Sequence, residues 1–258
     1  MIAVRSEKEI AILRQANQLV ADVLATLAEK VKPGITTAEL DVIAHDMIRK
    51  RRAAPAFLGY KRYPACSCIS VEEAIVHGIP DGRSLKNGQI VSMDVGVYFK
   101  GFYGDAAITV GCGTIDELRQ RLIRTTDRAL ARAITAARAG NYLVDVSRAI
   151  QETTEAEGFS VVRDFVGHGI GRKLHEEPQI PNFVTEKRGP RLRTGMVLAI
   201  EPMVNAGTHE VRILEDGWTA VTADGMPSAH FEHCVAVREH GGEILSWTPR
   251  LIWGQNQN

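Results

Sequence analysis

The chain has no excess of charge of either sign: its 258 residues carry 31 Lys and Arg against 31 Asp and Glu. A protein that grips nucleic acid or a membrane surface over a wide face relies on a strong basic surplus, so neither DNA nor a membrane is expected as a partner. No uncharged apolar run approaches the roughly 18 residues of a membrane span. Arg5, Glu7, Lys8 and Glu9 interrupt the stretch where a secretory signal would carry its apolar region, and a cytoplasmic address is expected. Cysteine is scarce and wrongly spaced for cross-links or a zinc knuckle: Cys66 and Cys68 form a C-x-C, Cys112 and Cys234 stand alone, and no C-x-x-C occurs. Reduced thiols are expected, not a disulfide scaffold. Gly-x-Gly-x-x-Gly is also missing, and Gly167-His-Gly-Ile-Gly-Arg172 lacks the Gly-Lys-Ser/Thr ending of a phosphate loop, so no dinucleotide or nucleotide cofactor is indicated. What is present, 45% hydrophobic and 24% charged residues, suffices for a large buried core in one or two domains. No linker-like segment divides the chain, and a single domain over 1–258 is expected.

Ser6-Glu-Lys-Glu9 is a capping box, followed at helical spacing by Ile10, Leu13, Val20, Leu24 and Leu27 until Pro33-Gly34 stops the pattern. Thr36-Thr-Ala-Glu39 repeats the signal ahead of Leu40, Ile43, Met47 and Ile48, and the basic run Arg49–Arg52 reads as a solvated helix end. Two more helices are expected at about 116–138 and 143–157, ending near Gly140 and Gly158. Strands are expected at 69–77, 90–97, 103–110, 161–167, 196–204, 211–214, 218–222 and 231–237. Two helices followed by strands, twice over, indicate an α+β fold and hint at an internal duplication.

The chemistry is concentrated in a few carboxylates. In Ile90–Val97 the apolar residues Val91, Met93, Val95 and Val97 share one strand face and Asp94 lies on the other; in Gly104–Val110 Asp105 lies opposite Ala106, Ile108 and Val110. A hairpin turning at Phe99-Lys100 would make facing residue numbers sum to 199 and set Asp94 directly across from Asp105, whereas a one-residue shift would make them diagonal neighbours. Two such carboxylates about 5 Å apart repel by roughly 3 kcal/mol at an effective dielectric of 20, and a cation resolves the conflict. Glu201 and Glu232 are each embedded in apolar strand sequence, and His168 sits between glycines that allow close approach. Four carboxylates and an imidazole match two divalent ions in charge, and their hard, oxygen-rich character favours Mn, Fe, Co or Zn.

Val76-His-Gly-Ile-Pro80, Met93-Asp-Val-Gly96, Tyr103-Gly-Asp105, Gly167-His-Gly-Ile-Gly171, Leu174-His-Glu-Glu-Pro178, Ile200-Glu-Pro202 and Phe231-Glu-His233 together closely resemble the type I methionine aminopeptidases, in order and over almost the whole chain. The resemblance implies a pita-bread fold, two pseudo-twofold halves around a central antiparallel sheet flanked by helices, and removal of the initiator Met from nascent proteins with a small second residue. It implies Asp94, Asp105, His168, Glu201 and Glu232 as ligands of two metal ions, Asp105 and Glu232 bridging. It implies Glu201 as general base for a metal-held water or hydroxide, His175 as stabiliser of the oxyanion, and His77 as holder of the scissile amide or its leaving nitrogen. Tyr60, Tyr63, Cys68, His77 and Trp218 map onto the pocket for the methionine side chain, an aromatic cage with a soft thiol suited to a thioether. N-terminal peptides of nascent chains, a transient ribosome contact and a monomeric state are the expected partners and assembly.

The sequence departs from that pattern at three places. Leu174 stands where close bacterial relatives usually have Phe, Phe57 where they often have Cys, and Glu72 where Asn is usual in a loop whose backbone often holds a monovalent cation. A short bacterial-type form is the best match. Two other readings stay open: an Xaa-Pro peptidase or prolidase, which shares fold and metals but usually carries a large N-terminal domain, and a binding module without turnover.

Overall fold

The computed structural model describes residues 2–250. Four helices form where the caps predict them: α1 (Glu7–Lys30), α2 (Thr37–Lys50), α3 (Glu117–Ala136) and α4 (Leu143–Glu155). At α1 the Glu9 N–H donates to Ser6 Oγ (3.4 Å) and the Ser6 N–H donates to Glu9 Oε2 (3.1 Å); Thr36 and Glu39 make the same reciprocal pair at α2. Two orphan helix-end donors are satisfied in each case. Along α1, Ile10, Leu13, Val20, Leu24 and Leu27 are fully buried, each worth about 1.5–3 kcal/mol of transfer free energy before entropy is charged against it. No helix among the described residues is long and apolar enough to cross a membrane.

The central sheet has nine strands, all paired antiparallel. Its spine is β1 (Ser67–Val71), β2 (Ile90–Phe99), β3 (Phe102–Gly111), β4 (Gly167–Gly169), β5 (Val197–Ile200) and β6 (Glu232–Val237), in the spatial order β1-β2-β3-β6-β5-β4. That order is palindromic: each half is two helices and then three strands, and the halves meet where β3 pairs with β6 through Ala107↔Glu232 and Ala106↔His233. This is the α+β, pita-bread arrangement, with the hint of duplication realised as a pseudo-twofold. Val91, Met93, Val95, Val97, Ala106 and Ile108 turn to the helices and join the main core. Asp94 and Asp105 therefore turn to the other face, away from α1.

The hairpin register differs from the expected one. Phe99 pairs with Phe102, so the turn is Lys100-Gly101, facing numbers sum to 201, and Asp105 lies across from Gly96 while Asp94 lies across from Ala107. Lys100 and Gly101 both have positive φ (49° and 85°), as a tight two-residue hairpin of this hand requires, and glycine at the second position takes that conformation without strain. Asp94 and Asp105 are thus diagonal neighbours on one face. Several expected strands are also broken. The 69–77 segment divides at Glu72 (φ 58°), and 196–204 divides at Glu201-Pro202, where proline supplies no ladder donor. Of 161–167 only Ser160–Val161 is strand before β4 begins at Gly167, and 231–237 is preceded by a separate Ser228–His230. Glu176–Ile180, paired to β4 at the end of the sheet, escaped the sequence pattern because Glu176, Glu177 and Gln179 make it a polar edge.

Candidate active site and metal centre

Side chains carried by five strands and their flanks converge on one cavity of about 180 Å³. Asp94 and Asp105 enter from the β2–β3 hairpin, His168 from β4, Glu201 from the break after β5, and Glu232 from the first residue of β6. The breaks that upset the strand pattern are what bring these groups together: Pro202 turns the chain just after Glu201, and Phe231 separates Ser228–His230 from β6. Gly167 makes the close approach possible, because a Cβ there would lie 2.5 Å from Ala199 O and 3.4 Å from Glu201 Cγ. Ligand atoms of Asp105, His168 and Glu232 all lie within 4.8 Å of one another, and His168 Nε2 lies 3.5 Å from Glu201 Oε1. The Nδ1 of His168 faces Gly169 O at 3.0 Å; donation there fixes the tautomer that leaves an Nε2 lone pair for a cation. Asn17, fully buried on α1, accepts from the Asp105 N–H through Oδ1 (3.1 Å) and donates to Leu13 O (2.9 Å), tying the hairpin to the helix beneath it.

The electrostatics are those of a cation site. Asp105 and Glu232 are 4% and 2% exposed, and one oxygen of each of Asp94, Asp105 and Glu232 is buried without any hydrogen-bond partner. Burial pushes the pKa of all four acids above the usual carboxylate range, and neighbouring carboxylates push Asp105, Glu201 and Glu232 further. His168 is driven down to about 3, first by burial and then by His175, so its imidazole is neutral. Orphaned acid oxygens and an available imidazole, unsupported by any Lys or Arg in the cavity except Lys61 at the side, fit divalent cations with oxygen and nitrogen preferences.

Around this cluster the cavity is lined by every other residue expected at the site: Tyr60, Tyr63, Cys68, His77, His175 and Trp218. Tyr60 OH lies 2.9 Å from His175 Nδ1, and the His175 ring stands 4.2 Å, centroid to centroid, from His168. The Tyr63 hydroxyl donates to Gly78 O (2.9 Å), while its ring meets Trp218 edge-on at 5.1 Å. His77, held at φ 60°, packs edge-on against Phe165 (5.3 Å) and Trp218 (6.1 Å); burial lowers its pKa to about 4. Burial, then Asp94, raises the Cys68 thiol, which stays protonated. Phe57 and Leu174, two departures from the family pattern, both line the cavity. At the third, Glu72, the carboxylate accepts from the Ile90 N–H (2.7 Å) and from the Arg119 guanidinium. Residues that sequence reasoning passed over are Asn17, Phe165, Met203 and His230. Asn17 was visible as a polar residue in the apolar stripe of α1, and His230 as the residue two before Glu232.

Comparison with known proteins agrees with this geometry. Residues 11–239 match the sequence model of metallopeptidase family M24. The chain belongs to that family. Within the family it is similar to methionine aminopeptidase from Clostridium perfringens, at 52% identity over 246 residues, 95% of this chain and 99% of that protein. The crystal structure of methionine aminopeptidase from Thermotoga maritima superposes with a TM-score of 0.94 at 46% identity, covering 96% of this chain and all of that one. Prolidase from Pyrococcus furiosus shares the fold alone, with a TM-score of 0.77 at 20% identity over 65% of its own length.

Proposed function

We propose that this chain is a metal-dependent aminopeptidase that removes N-terminal methionine from nascent proteins whose second residue is small, acting as a monomer that meets the ribosome only in passing. The observation that carries the reading is the junction, in one cavity, of a buried acid–imidazole cluster with an aromatic and thiol-lined recess. Asp94, Asp105, His168, Glu201 and Glu232 would hold two divalent cations. When bound, such ions polarise the scissile carbonyl and lower the pKa of a coordinated water towards neutrality. Glu201 would take the attacking water's proton, its carboxylate lying in the same buried cluster as the other acids. His175, oriented by Tyr60, donates to the oxygen that gains charge, and His77, on the opposite wall beside Phe165, holds the scissile amide and its departing nitrogen. Tyr63, Cys68 and Trp218 receive the methionine side chain, since aromatic rings and a protonated thiol favour a polarisable thioether.

The test is release of free Met from a Met-Ala-Ser peptide by protein loaded in turn with Mn, Fe, Co and Zn. Release with at least one metal, and none from Ala-Pro or other Xaa-Pro peptides, is expected. A folded sample inactive on Met-Ala-Ser with all four metals overturns the reading, and preference for Xaa-Pro would move the chain to the prolidase branch.

A further inference from the structure

His230 has no part in the chemistry above, yet it is built into the site. Its ring is 2% exposed and lines the cavity. Its Nε2 is shielded from solvent and has no hydrogen-bond partner in the protein, a condition that costs about 1–3 kcal/mol for a buried polar group. The backbone beneath it is clamped: the His230 N–H donates to Thr109 Oγ1 (2.8 Å), the Thr109 hydroxyl donates to His230 O (2.8 Å), and Ser92 Oγ touches the same hydroxyl at 2.8 Å. Ser92 and Thr109 belong to β2 and β3, the strands that carry Asp94 and Asp105. The backbone that carries the imidazole is therefore tied to the strands of the acid cluster.

Its target is Glu201. His230 Nε2 faces Glu201 Oε2 at 3.9 Å, while His168 Nε2 faces Oε1 at 3.5 Å, so a different imidazole addresses each carboxylate oxygen. A lone pair pointed at a carboxylate is repulsive, whereas Nε2–H pointed at it is attractive, and a movement of about 1 Å brings the pair to hydrogen-bond length. Contacts of this kind are often long before substrate and metal are present. We propose that His230 is a positioning residue: its Nε2–H donates to Glu201 Oε2 and fixes the rotation of that carboxylate, leaving Oε1 turned towards His168 and the rest of the acid cluster. The proposal rests on the reading of Glu201 as ligand and proton acceptor.

Two variants test it. His230→Leu keeps bulk and removes the donor; His230→Gln keeps an N–H close to the place of Nε2. Mn²⁺ titration of the metal-free proteins by calorimetry reads the effect on Glu201 without turnover, and Met release from Met-Ala-Ser reads kcat and KM separately. His230→Leu is expected to weaken Mn²⁺ binding and to lower kcat by about 10–100-fold with KM held, and His230→Gln to restore both to within about threefold of wild type. A His230→Leu protein with wild-type Mn²⁺ affinity and kcat overturns the proposal, as does a folded His230→Gln protein as impaired as His230→Leu. If wild type releases no Met, the proposed function fails, but the Mn²⁺ titrations still decide for or against His230.

Discussion

Asp105→Asn should stabilise the metal-free protein while destroying its response to metal, and the gain should grow with pH. The Asp105 and Glu232 ligand oxygens lie within 4.8 Å in a site open to little water. At that distance and an effective dielectric of 20, two charges repel by about 3.5 kcal/mol. The metal-free protein can avoid that cost only by retaining a proton, as the raised pKa of Asp105, due to burial and then to Glu232 and Asp94, implies. An acid whose pKa is raised by folding stabilises the fold fully below its unfolded value near 4, and that contribution is lost as pH rises towards the folded value, at about 1.4 kcal/mol per pH unit for each proton retained. From pH 5 to 7.5 a proton retained throughout costs about 3.4 kcal/mol on that slope. Buried imidazoles act in the opposite sense: His168 and His230, both lowered to about 3 by burial, stabilise the fold above about 6.5 and lose that contribution as pH falls. They cancel in the difference between wild type and variant, so that difference is the quantity to measure. Differential scanning fluorimetry of EDTA-treated samples from pH 5 to 7.5 should show Asp105→Asn gaining on wild type by roughly 7–14 °C over the range. Saturating Mn²⁺ should raise wild type and leave the variant nearly unmoved. A constant gap between the two metal-free proteins across that pH range would refute the argument that these acids crowd each other in the fold.

Other perturbations separate the roles of neighbouring groups. Glu201→Gln should reduce Met release by about 10²–10⁴-fold or to background, since it removes the proposed proton acceptor and ligand; rates within threefold of wild type would reassign the base. His175→Ala should leave Mn²⁺ bound in calorimetry while slowing turnover by about 10²–10³-fold, and a protein that loses its Mn²⁺ instead would make His175 a ligand. Gly167→Ala should cost about 1–3 kcal/mol in urea melts and weaken Mn²⁺ binding, because its Cβ would meet Ala199 O at 2.5 Å. Gly82→Ala, with nothing within 4 Å of its Cβ, should stay within about 0.5 kcal/mol.

The sequence revealed most where local rules govern structure. Capping boxes at Ser6 and Thr36 and the apolar stripes behind them set two helices, because a helix end must satisfy its donors nearby. The alternation around Asp94 and Asp105 put both acids on one face whatever the register. The register differs from the expected one by one residue because a turn at Phe99-Lys100 would demand positive φ of Phe99, whereas the turn at Lys100-Gly101 places it on a glycine. Strand breaks at Glu72 and Glu201 are hidden because apolar residues flank each: Val71 and Ala74–Val76 around the first, Leu198–Ile200 and Met203-Val204 around the second. His230 was invisible for a different reason: an imidazole two residues from a carboxylate acquires meaning only when β5 brings Glu201 opposite it, a contact between distant segments that no local pattern encodes.

The position of the acids relative to the pseudo-twofold explains why the fold tolerates them at all. Asp94 and Asp105 belong to the first three-strand unit, and His168, Glu201 and Glu232 to the second, so the acids crowd each other within each half and also across the seam between halves. At that seam β3 and β6 pair only through Ala107↔Glu232 and Ala106↔His233, and one of those four residues is itself a cluster acid. Repulsion between Asp105 and Glu232 therefore works directly against the backbone pairing that joins the halves, and a cation held by both would act as a cross-link at the same place. Binding at a hundred times its dissociation constant would return about 2.7 kcal/mol per ion to the folded state, comparable with the repulsion at 4.8 Å derived above from the Asp105–Glu232 spacing. The acids proposed to hold metal thus also bear on the cohesion of the two halves, and Asp105→Asn should trade one directly for the other.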